Sequence, residues 1–125
     1  MEDLLPGVLV VDDEADMRLL LEAVIERANE GLAVVGLAES GAEAIERWRE
    51  VEPDVILLDQ QMPDMTGLEA AEQILSEQSD QRIILFSAFV DSELRARAAE
   101  LGIQTCLPKT ELAKVPEALW RFGTG

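Results

Sequence analysis

Short apolar runs alternate along the chain with segments in which apolar residues recur at helical spacing. The runs lack the alternation with polar residues that a half-exposed strand would show, so they are typical of strands buried on both faces of a sheet. They predict five strands, the last of them the weakest, at residues 8–11, 32–37, 55–58, 83–86 and 103–107. A helical pattern follows each run, so the sequence predicts five consecutive βα units.

Capping signals mark where several of the predicted helices begin and end. The stretches Ser40–Glu43 and Thr66–Glu69 both have the Ser/Thr-x-x-Glu pattern of a capping box, so we expect a helix to begin at each of them. Asp91–Ser92 offers a capping side chain for the next helix, and we expect Gly102 to end that helix. Pro116 suits the first turn of the last helix.

The order of these elements predicts a doubly wound α/β fold. Right-handed crossovers between consecutive βα units make the strands parallel, and continuous apolar strands require helices on both faces of the sheet. We therefore expect a three-layer, flavodoxin-like fold with five helices and a five-stranded parallel sheet in the order 2-1-3-4-5. The chain has 125 residues, which suits a single core, so residues 1–125 are interpreted as one domain.

Charge and composition exclude several kinds of partner and site. The formal net charge is −16, from 26 acidic and 10 basic residues, and such a field repels nucleic acid and anionic membranes. We therefore expect this domain to contact neither nucleic acid nor a membrane. The chain has no histidine, which excludes a Ser-His-Asp triad and a histidine-ligated zinc site within it.

Three further features predict a cytoplasmic protein. No stretch approaches the roughly 18 consecutive apolar residues of a membrane span. Residues 1–3 lack the basic region of a signal peptide. Cys106 is the single cysteine, so no internal disulfide can form, as is usual in a reducing compartment.

Polar side chains follow four of the five predicted strands at their carboxyl ends. Asp12 and Asp13 follow the first strand, and Asp59 follows the third. Ser87 follows the fourth strand, and Lys109 comes just after the fifth. In a doubly wound sheet, ligands bind outside the carboxyl ends of the strands, at the point where the strand order reverses. That point lies between strands one and three here, so we expect these five side chains to share one pocket.

The three aspartates at the strand ends predict a metal site. Carboxylates placed close together raise each other's pKa unless a cation joins them, and Mg²⁺ prefers oxygen ligands. Asp13 and Asp59 are candidates for direct ligands, and the main-chain carbonyl of Gln61 is a candidate third ligand. Asp12 would act through a water molecule.

The same pocket predicts phosphoryl transfer onto one of its carboxylates. An ionised carboxylate is a nucleophile that needs no general base. Lys109 supplies a positive charge on a long side chain, and Ser87 supplies a hydroxyl donor, both suited to phosphoryl oxygens. Catalysis would then depend on positioning and on charge neutralisation.

Four motifs give the chain a resemblance to the receiver domains of two-component response regulators. They are VVDDE at 10–14, LLDQQMPDMTG at 57–67, FSA at 86–88 and PK at 108–109, and the likeness extends over essentially the whole chain. The resemblance implies a signalling switch rather than an enzyme with a separate substrate. A histidine kinase or histidine phosphotransfer protein would donate the phosphoryl group to Asp59, and the chain would catalyse this Mg²⁺-dependent reaction itself.

The resemblance also implies a role for each site residue. Asp12, Asp13, Asp59 and the carbonyl of Gln61 form the Mg²⁺ site, and Ser87 and Lys109 contact the phosphoryl group. Phosphorylation would then change the surface formed by the fourth helix, fifth strand and fifth helix. We expect this surface to bind a downstream effector domain or protein, or a second copy of the chain.

Three positions depart from the commonest pattern of that family. Cys106 stands where an aromatic residue usually couples phosphorylation to the surface, and our hypothesis is that Phe89 or the loop around it substitutes for that residue. Thr110 follows Lys109 where many members have proline, so we expect a trans bond, because a cis bond before a non-proline residue costs about 2.5–4 kcal/mol. Ser87 replaces the more frequent threonine and keeps the hydroxyl.

Other classes of function were weighed on the same residues. A receiver-like adaptor that docks without phosphorylation is the alternative, and the complete acidic set and lysine argue against it. A flavodoxin-type mononucleotide binder would need Gly, Ser or Thr donors where this chain has Asp12, Asp13 and Glu14. A haloacid-dehalogenase-like phosphatase would need an Asp-x-Asp motif, which the sequence lacks.

Overall fold

The computed structural model describes residues 5–28 and 31–124. The elements within those residues are β1 (Gly7–Val11), α1 (Ala15–Arg27), β2 (Ala33–Ala38), α2 (Gly41–Val51), β3 (Val55–Asp59), α3 (Gly67–Glu77), β4 (Arg82–Ser87), α4 (Ser92–Leu101), β5 (Thr105–Pro108), a 3₁₀ segment (Lys109–Lys114) and α5 (Val115–Gly123). The strands form one parallel sheet in the order β2-β1-β3-β4-β5, which confirms the predicted order.

Helices cover both faces of the sheet because successive strand residues point to opposite faces. In β1, Val8 and Val10 belong to the core formed with α1 and α5. Leu9 and Val11 belong to the core formed with α2, α3 and α4. All four side chains are buried, which explains why the strand is apolar throughout. The predicted three-layer, flavodoxin-like arrangement is therefore confirmed.

The two predicted capping boxes differ in the structure. At α3, Thr66 Oγ1 accepts a hydrogen bond from Glu69 N–H (3.1 Å) and Glu69 Oε1 accepts one from Thr66 N–H (2.9 Å), so this box is complete. At α2, Ser40 Oγ accepts from Glu43 N–H (3.1 Å), but Glu43 Oε1 accepts from Glu39 N–H (2.8 Å) instead of from Ser40. The prediction of a full box at Ser40 was wrong, because the Glu43 side chain reaches one residue further back.

The region around β5 and α5 departs most from the expected boundaries. β5 begins at Thr105, two residues later than predicted, because the Gln104 side-chain oxygen accepts the hydrogen bond from Ile83 N–H (2.7 Å) in place of a main-chain carbonyl. The 3₁₀ segment after β5 was not predicted. α5 begins at Val115, which puts Pro116 in the first turn as expected.

Several smaller predictions are also settled. Asp91, rather than Ser92, caps α4 by accepting from Leu94 N–H (2.8 Å), and Gly102 ends that helix with a φ of 94°, which favours glycine. No peptide bond among the described residues is cis, so the bond after Lys109 is trans. No helix in the described ranges has the length and apolar character needed to span a membrane. Residues 1–3, for which no signal peptide is predicted, lie outside the described residues.

Candidate functional site

Asp12, Asp13 and Asp59 lie together at the carboxyl edge of the sheet. Val11 pairs with Leu58 across the neighbouring strands β1 and β3, which brings Asp12 and Asp59 to the same level. One carboxylate oxygen from each aspartate lies within 4.8 Å of the others. Asp12 and Asp59 are buried and Asp13 is exposed, so the cluster combines two desolvated carboxylates with one at the surface.

Lys109 follows β5 and reaches into this acidic cluster. Its Nζ lies 2.8 Å from Asp12 Oδ2 and 3.2 Å from Asp59 Oδ1, and its side chain is only 15% exposed. Burial opposes the charge of the ammonium group. The hydrogen bond to Asp12 and the charges of Asp59 and Asp12 together outweigh burial, however, and they raise the pKa of Lys109. The side chain therefore stays protonated between the two carboxylates.

Asp59 has one carboxylate oxygen without a protein partner. Its Oδ1 accepts a hydrogen bond from Gln61 N–H (3.2 Å), whereas its buried Oδ2 has no donor among the described residues. Burial, and then the charge of Asp12, raise the pKa of Asp59 to about 6, although Lys109 and Gln61 N–H act in the opposite direction. The cluster therefore holds more negative charge than Lys109 offsets. Three carboxylates and one free, buried oxygen fit the ligand preference of Mg²⁺.

Asp12 differs from Asp59 because protein groups occupy both of its oxygens. Oδ1 accepts from Glu14 N–H (2.9 Å), and Oδ2 accepts from Lys109 Nζ (2.8 Å). Its main-chain carbonyl accepts from Arg18 Nη1 (2.7 Å), a contact that the sequence analysis missed. The signal for Arg18 was weak, since a basic residue in an amphipathic helix usually faces solvent.

Ser87 lies at the end of β4, buried beside the acidic cluster. Its Oγ donates a hydrogen bond to the Phe89 carbonyl (3.0 Å), and Phe89 N–H lies 3.4 Å from the same Oγ. The Phe89 side chain is 72% exposed. The single hydroxyl proton of Ser87 is therefore engaged with the segment between β4 and α4.

An open cavity of about 510 Å³ gives access to the site. Its walls are Asp13, Glu14, Asp59, Gln61, Ala88, Phe89 and Lys109. Four of the predicted site residues thus face one space. Asp12 and Ser87 lie behind this wall, in contact with Lys109 and with the Phe89 main chain, respectively.

The loop between β3 and α3 holds Gln61 beside Asp59. The carbonyl of Gln60 accepts from Gly67 N–H (2.9 Å), and the Gln60 side-chain oxygen accepts from Leu68 N–H (3.0 Å). A Cβ at Gly67 would collide with the carbonyl oxygen of Asp59, so only glycine allows this close return of the chain. No sequence pattern predicted a role for Gln60.

Asp64 ties the same loop to the amino end of α2. Its Oδ1 accepts from Gly41 N–H (2.9 Å) and its Oδ2 accepts from Ala42 N–H (2.8 Å). These two hydrogen bonds lower the pKa of Asp64. No sequence pattern predicted this contact, because it joins positions far apart in the chain.

Comparison with known proteins gives a consistent match along the chain. Residues 8–119 match the family described as the response regulator receiver domain. Chemotaxis protein CheY of Thermotoga maritima is 35% identical over 113 residues, which are 90% of this chain and 92% of CheY. Transcriptional regulatory protein LiaR of Bacillus subtilis is 37% identical over 113 residues, which are 90% of this chain but 53% of LiaR. The chain therefore spans nearly all of one relative and about half of the other.

Solved structures share the fold. A two-component response regulator of the LuxR family from Aurantimonas sp. SI85-9A1 superposes with a TM-score of 0.87 at 29% identity, over 92% of this chain and 82% of that chain. A complex of CheX and CheY with BeF3 and Mg²⁺ from Borrelia burgdorferi gives a TM-score of 0.85 at 26% identity, over 92% of this chain and 87% of that chain.

Proposed function

This chain belongs to the response regulator receiver domain family of two-component systems, and on that premise we propose that it is a switch activated by Mg²⁺-dependent phosphorylation of Asp59. The observation that carries the proposal is the Asp59 carboxylate, whose buried Oδ2 has no donor among the described residues and whose Oδ1 contacts the Lys109 ammonium group. We propose further that residues 1–125 form one receiver domain, and that this domain acts in the cytoplasm. Receiver domains work with histidine kinases and with effector domains.

Asp59 is the proposed nucleophile. With a pKa of about 6, its carboxylate is mostly ionised at neutral pH. Oδ2 would attack the phosphorus of a phosphohistidine, so that a P–O bond forms as the P–N bond breaks. The electron pair of the broken bond stays on the imidazole nitrogen of the donor. These 125 residues contain no histidine, so the donor histidine lies outside them, on a histidine kinase or a histidine phosphotransfer protein.

Asp13, Asp59 and the main-chain carbonyl of Gln61 would hold the Mg²⁺ ion. Asp13 and Gln61 line the open cavity with Asp59, so each of the three faces the same space. Asp12 already accepts from Lys109 and Glu14, which supports a contact through water rather than a direct one. When bound, Mg²⁺ would neutralise charge on the carboxylates and on the incoming phosphoryl group.

Lys109 and Ser87 would stabilise the phosphoryl group on Asp59. Lys109 Nζ already contacts the carboxylate that would be modified, at 3.2 Å. Ser87 has one hydroxyl proton, so a bond to a phosphoryl oxygen would replace its bond to the Phe89 carbonyl. Phosphorylation would therefore release the main chain of Phe89 and move the segment between β4 and α4.

The surface of α4, β5 and α5 is the proposed output surface. Arg95 Nη1 donates to the Cys106 carbonyl (3.1 Å), so α4 is joined directly to β5. Trp120 on α5 is 42% exposed and offers an aromatic contact. Movement of the segment before α4 would change this surface and thereby change its binding to an effector domain or to a second copy of the chain. The adaptor alternative has no observation in its favour beyond the fold itself.

Phosphotransfer from candidate histidine kinases tests this proposal. We expect a labelled kinase to pass its phosphoryl group to the wild-type chain in the presence of Mg²⁺, and not to Asp59→Ala. Transfer of equal extent to Asp59→Ala would show that another residue accepts the group. Specific binding of a kinase with no transfer would favour the adaptor.

A further inference from the structure

The loop between β3 and α3 is anchored at a point that the proposed reaction does not explain. Both oxygens of the exposed Asp64 carboxylate accept main-chain hydrogen bonds from the first turn of α2, at 2.9 Å from Gly41 N–H and 2.8 Å from Ala42 N–H. The residues joined are 23 and 22 positions apart in the chain. This is a contact between two elements, unlike the local cap that Ser40 provides to α2.

A second contact presses the same loop against α2. A Cβ on Gly41 would lie 2.7 Å from Met65 Sδ and closer still to Met65 Cγ. The side chain next to Asp64 therefore rests directly on the helix backbone, and a glycine leaves room for it. Polar and apolar contacts together fix the position of residues 64 and 65 relative to α2.

Only Met62 and Pro63 separate this anchor from Gln61. The proline ring fixes φ at position 63, so the connection is short and stiff. At the other end of the loop, Gly67 N–H donates to the Gln60 carbonyl (2.9 Å), which holds the return of the chain. The main chain of Gln61 thus lies between two fixed points.

We propose that Asp64 is a positioning residue, which holds the loop between β3 and α3 against the amino end of α2 and thereby keeps the Gln61 carbonyl in the Mg²⁺ site. The inference rests on the proposed function, because it assigns the Gln61 carbonyl to the metal. Asp64 itself does not touch the metal. It limits the loop conformations in which the carbonyl faces the acidic cluster, so its loss lowers the affinity for Mg²⁺.

Two control variants separate this role from helix capping and from charge. Ser40→Ala removes the Ser40 bond to Glu43 N–H at the start of α2 and leaves the loop contacts of Asp64 in place. Asp91→Ala removes another exposed aspartate that caps a helix, so it matches the charge change of Asp64→Ala. Because all three side chains accept main-chain hydrogen bonds from the first turn of a helix, the variants are expected to fold, with losses of stability of the size of a lost helix cap.

Calorimetric titration of the full chain with MgCl₂ is the test, with urea unfolding of each variant alongside. We expect Asp64→Ala to bind Mg²⁺ about threefold to tenfold more weakly than wild type and both controls. The expected loss stays below the roughly tenfold to hundredfold seen when a group that hydrogen-bonds a metal ligand is removed, because Asp64 acts on the ligand only through the loop. Asp64→Asn, which keeps one acceptor oxygen, is expected to fall between wild type and Asp64→Ala.

The outcomes distinguish this inference from the function on which it rests. If wild type binds Mg²⁺ and Asp64→Ala binds it as tightly as Ser40→Ala and Asp91→Ala do, Asp64 is not a positioning residue and the metal site stands. If wild type binds no Mg²⁺, the metal site is refuted, and the role of Asp64 is refuted with it.

Discussion

Lys109 Nζ lies 3.2 Å from Asp59 Oδ1, yet this contact does not bring the pKa of Asp59 down to its usual value. Burial of the carboxylate, followed by the charge of Asp12, outweighs the ammonium group and keeps the pKa at about 6. The folded protein therefore maintains a carboxylate whose ionised form is unfavourable. Binding of a divalent cation would relieve that unfavourable charge.

The first prediction concerns the pH dependence of stability. The pKa of Asp59 is about 6 in the folded protein against an ordinary value of 3.8, so the folded state holds this proton more tightly than the unfolded state. Protonated Asp59 therefore contributes to the free energy of unfolding below about pH 4, and this contribution is lost as the pH rises through 6. The loss is of order 3 kcal/mol, from about 1.4 kcal/mol per pKa unit. The side chain in Asp59→Asn cannot ionise, so this variant does not show the loss of stability.

Urea unfolding of wild type and Asp59→Asn across this pH range is the measurement, without added metal. The free energy of unfolding of Asp59→Asn minus that of wild type should grow by as much as about 3 kcal/mol between about pH 4 and pH 7.5. Taking the difference removes the contributions of carboxylates outside the acidic cluster, such as Asp64. A difference that stays constant with pH would contradict the raised pKa.

The second prediction concerns the hydroxyl of Ser87. In wild type, phosphorylation by acetyl phosphate should shift the NMR amide signals around Phe89, because the hydroxyl that now donates to the Phe89 carbonyl turns to the phosphoryl group. In Ser87→Ala this coupling is absent, so the shift at Phe89 should be largely lost. Ser87→Thr keeps the hydroxyl and serves as the control. A shift of full size in Ser87→Ala would show that the signal takes another route.

The third prediction concerns the lifetime of the phosphorylated state. Phe89 and Gln61 line the cavity that a hydrolytic water would enter to reach Asp59. Phe89→Ala opens that path, so we expect dephosphorylation about threefold to tenfold faster, which corresponds to a barrier roughly 0.7–1.4 kcal/mol lower. Phe89→Leu keeps most of the bulk and should change the rate less. An unchanged or slower rate in Phe89→Ala would reject the role of Phe89 as a barrier to water.

The fold could be predicted from the sequence because it depends on a local pattern, an apolar strand followed by a helix, that recurs along the chain. The run Val8–Val11 is apolar at every position, and the structure buries it against helices on both faces. Parallel strands bring their carboxyl ends to one edge, so Asp12 and Asp59 could be expected to meet although they are far apart in the chain. Lys109 is found in contact with both for the same reason.

The remaining features depend on the conformation of loops, which local patterns do not determine. The hydrogen bond from Ser87 Oγ to the Phe89 carbonyl depends on the arrangement of the segment before α4. The tie from Asp64 to Gly41 requires α2 and the loop after β3 to be placed relative to each other. The pKa of Asp59 depends on how deeply the side chain is buried, and a sequence pattern gives no measure of that depth.

Labelling of the chain by acetyl phosphate tests most directly whether Asp59 is a Mg²⁺-dependent phosphoryl acceptor. Intact-protein mass spectrometry should show the addition of one phosphoryl group to wild type with MgCl₂ and none after chelation of the metal. Asp59→Asn, which keeps the size of the side chain, should remain unmodified under both conditions. Modification of Asp59→Asn to the wild-type extent, or modification of wild type that does not depend on the metal, would contradict the assignment.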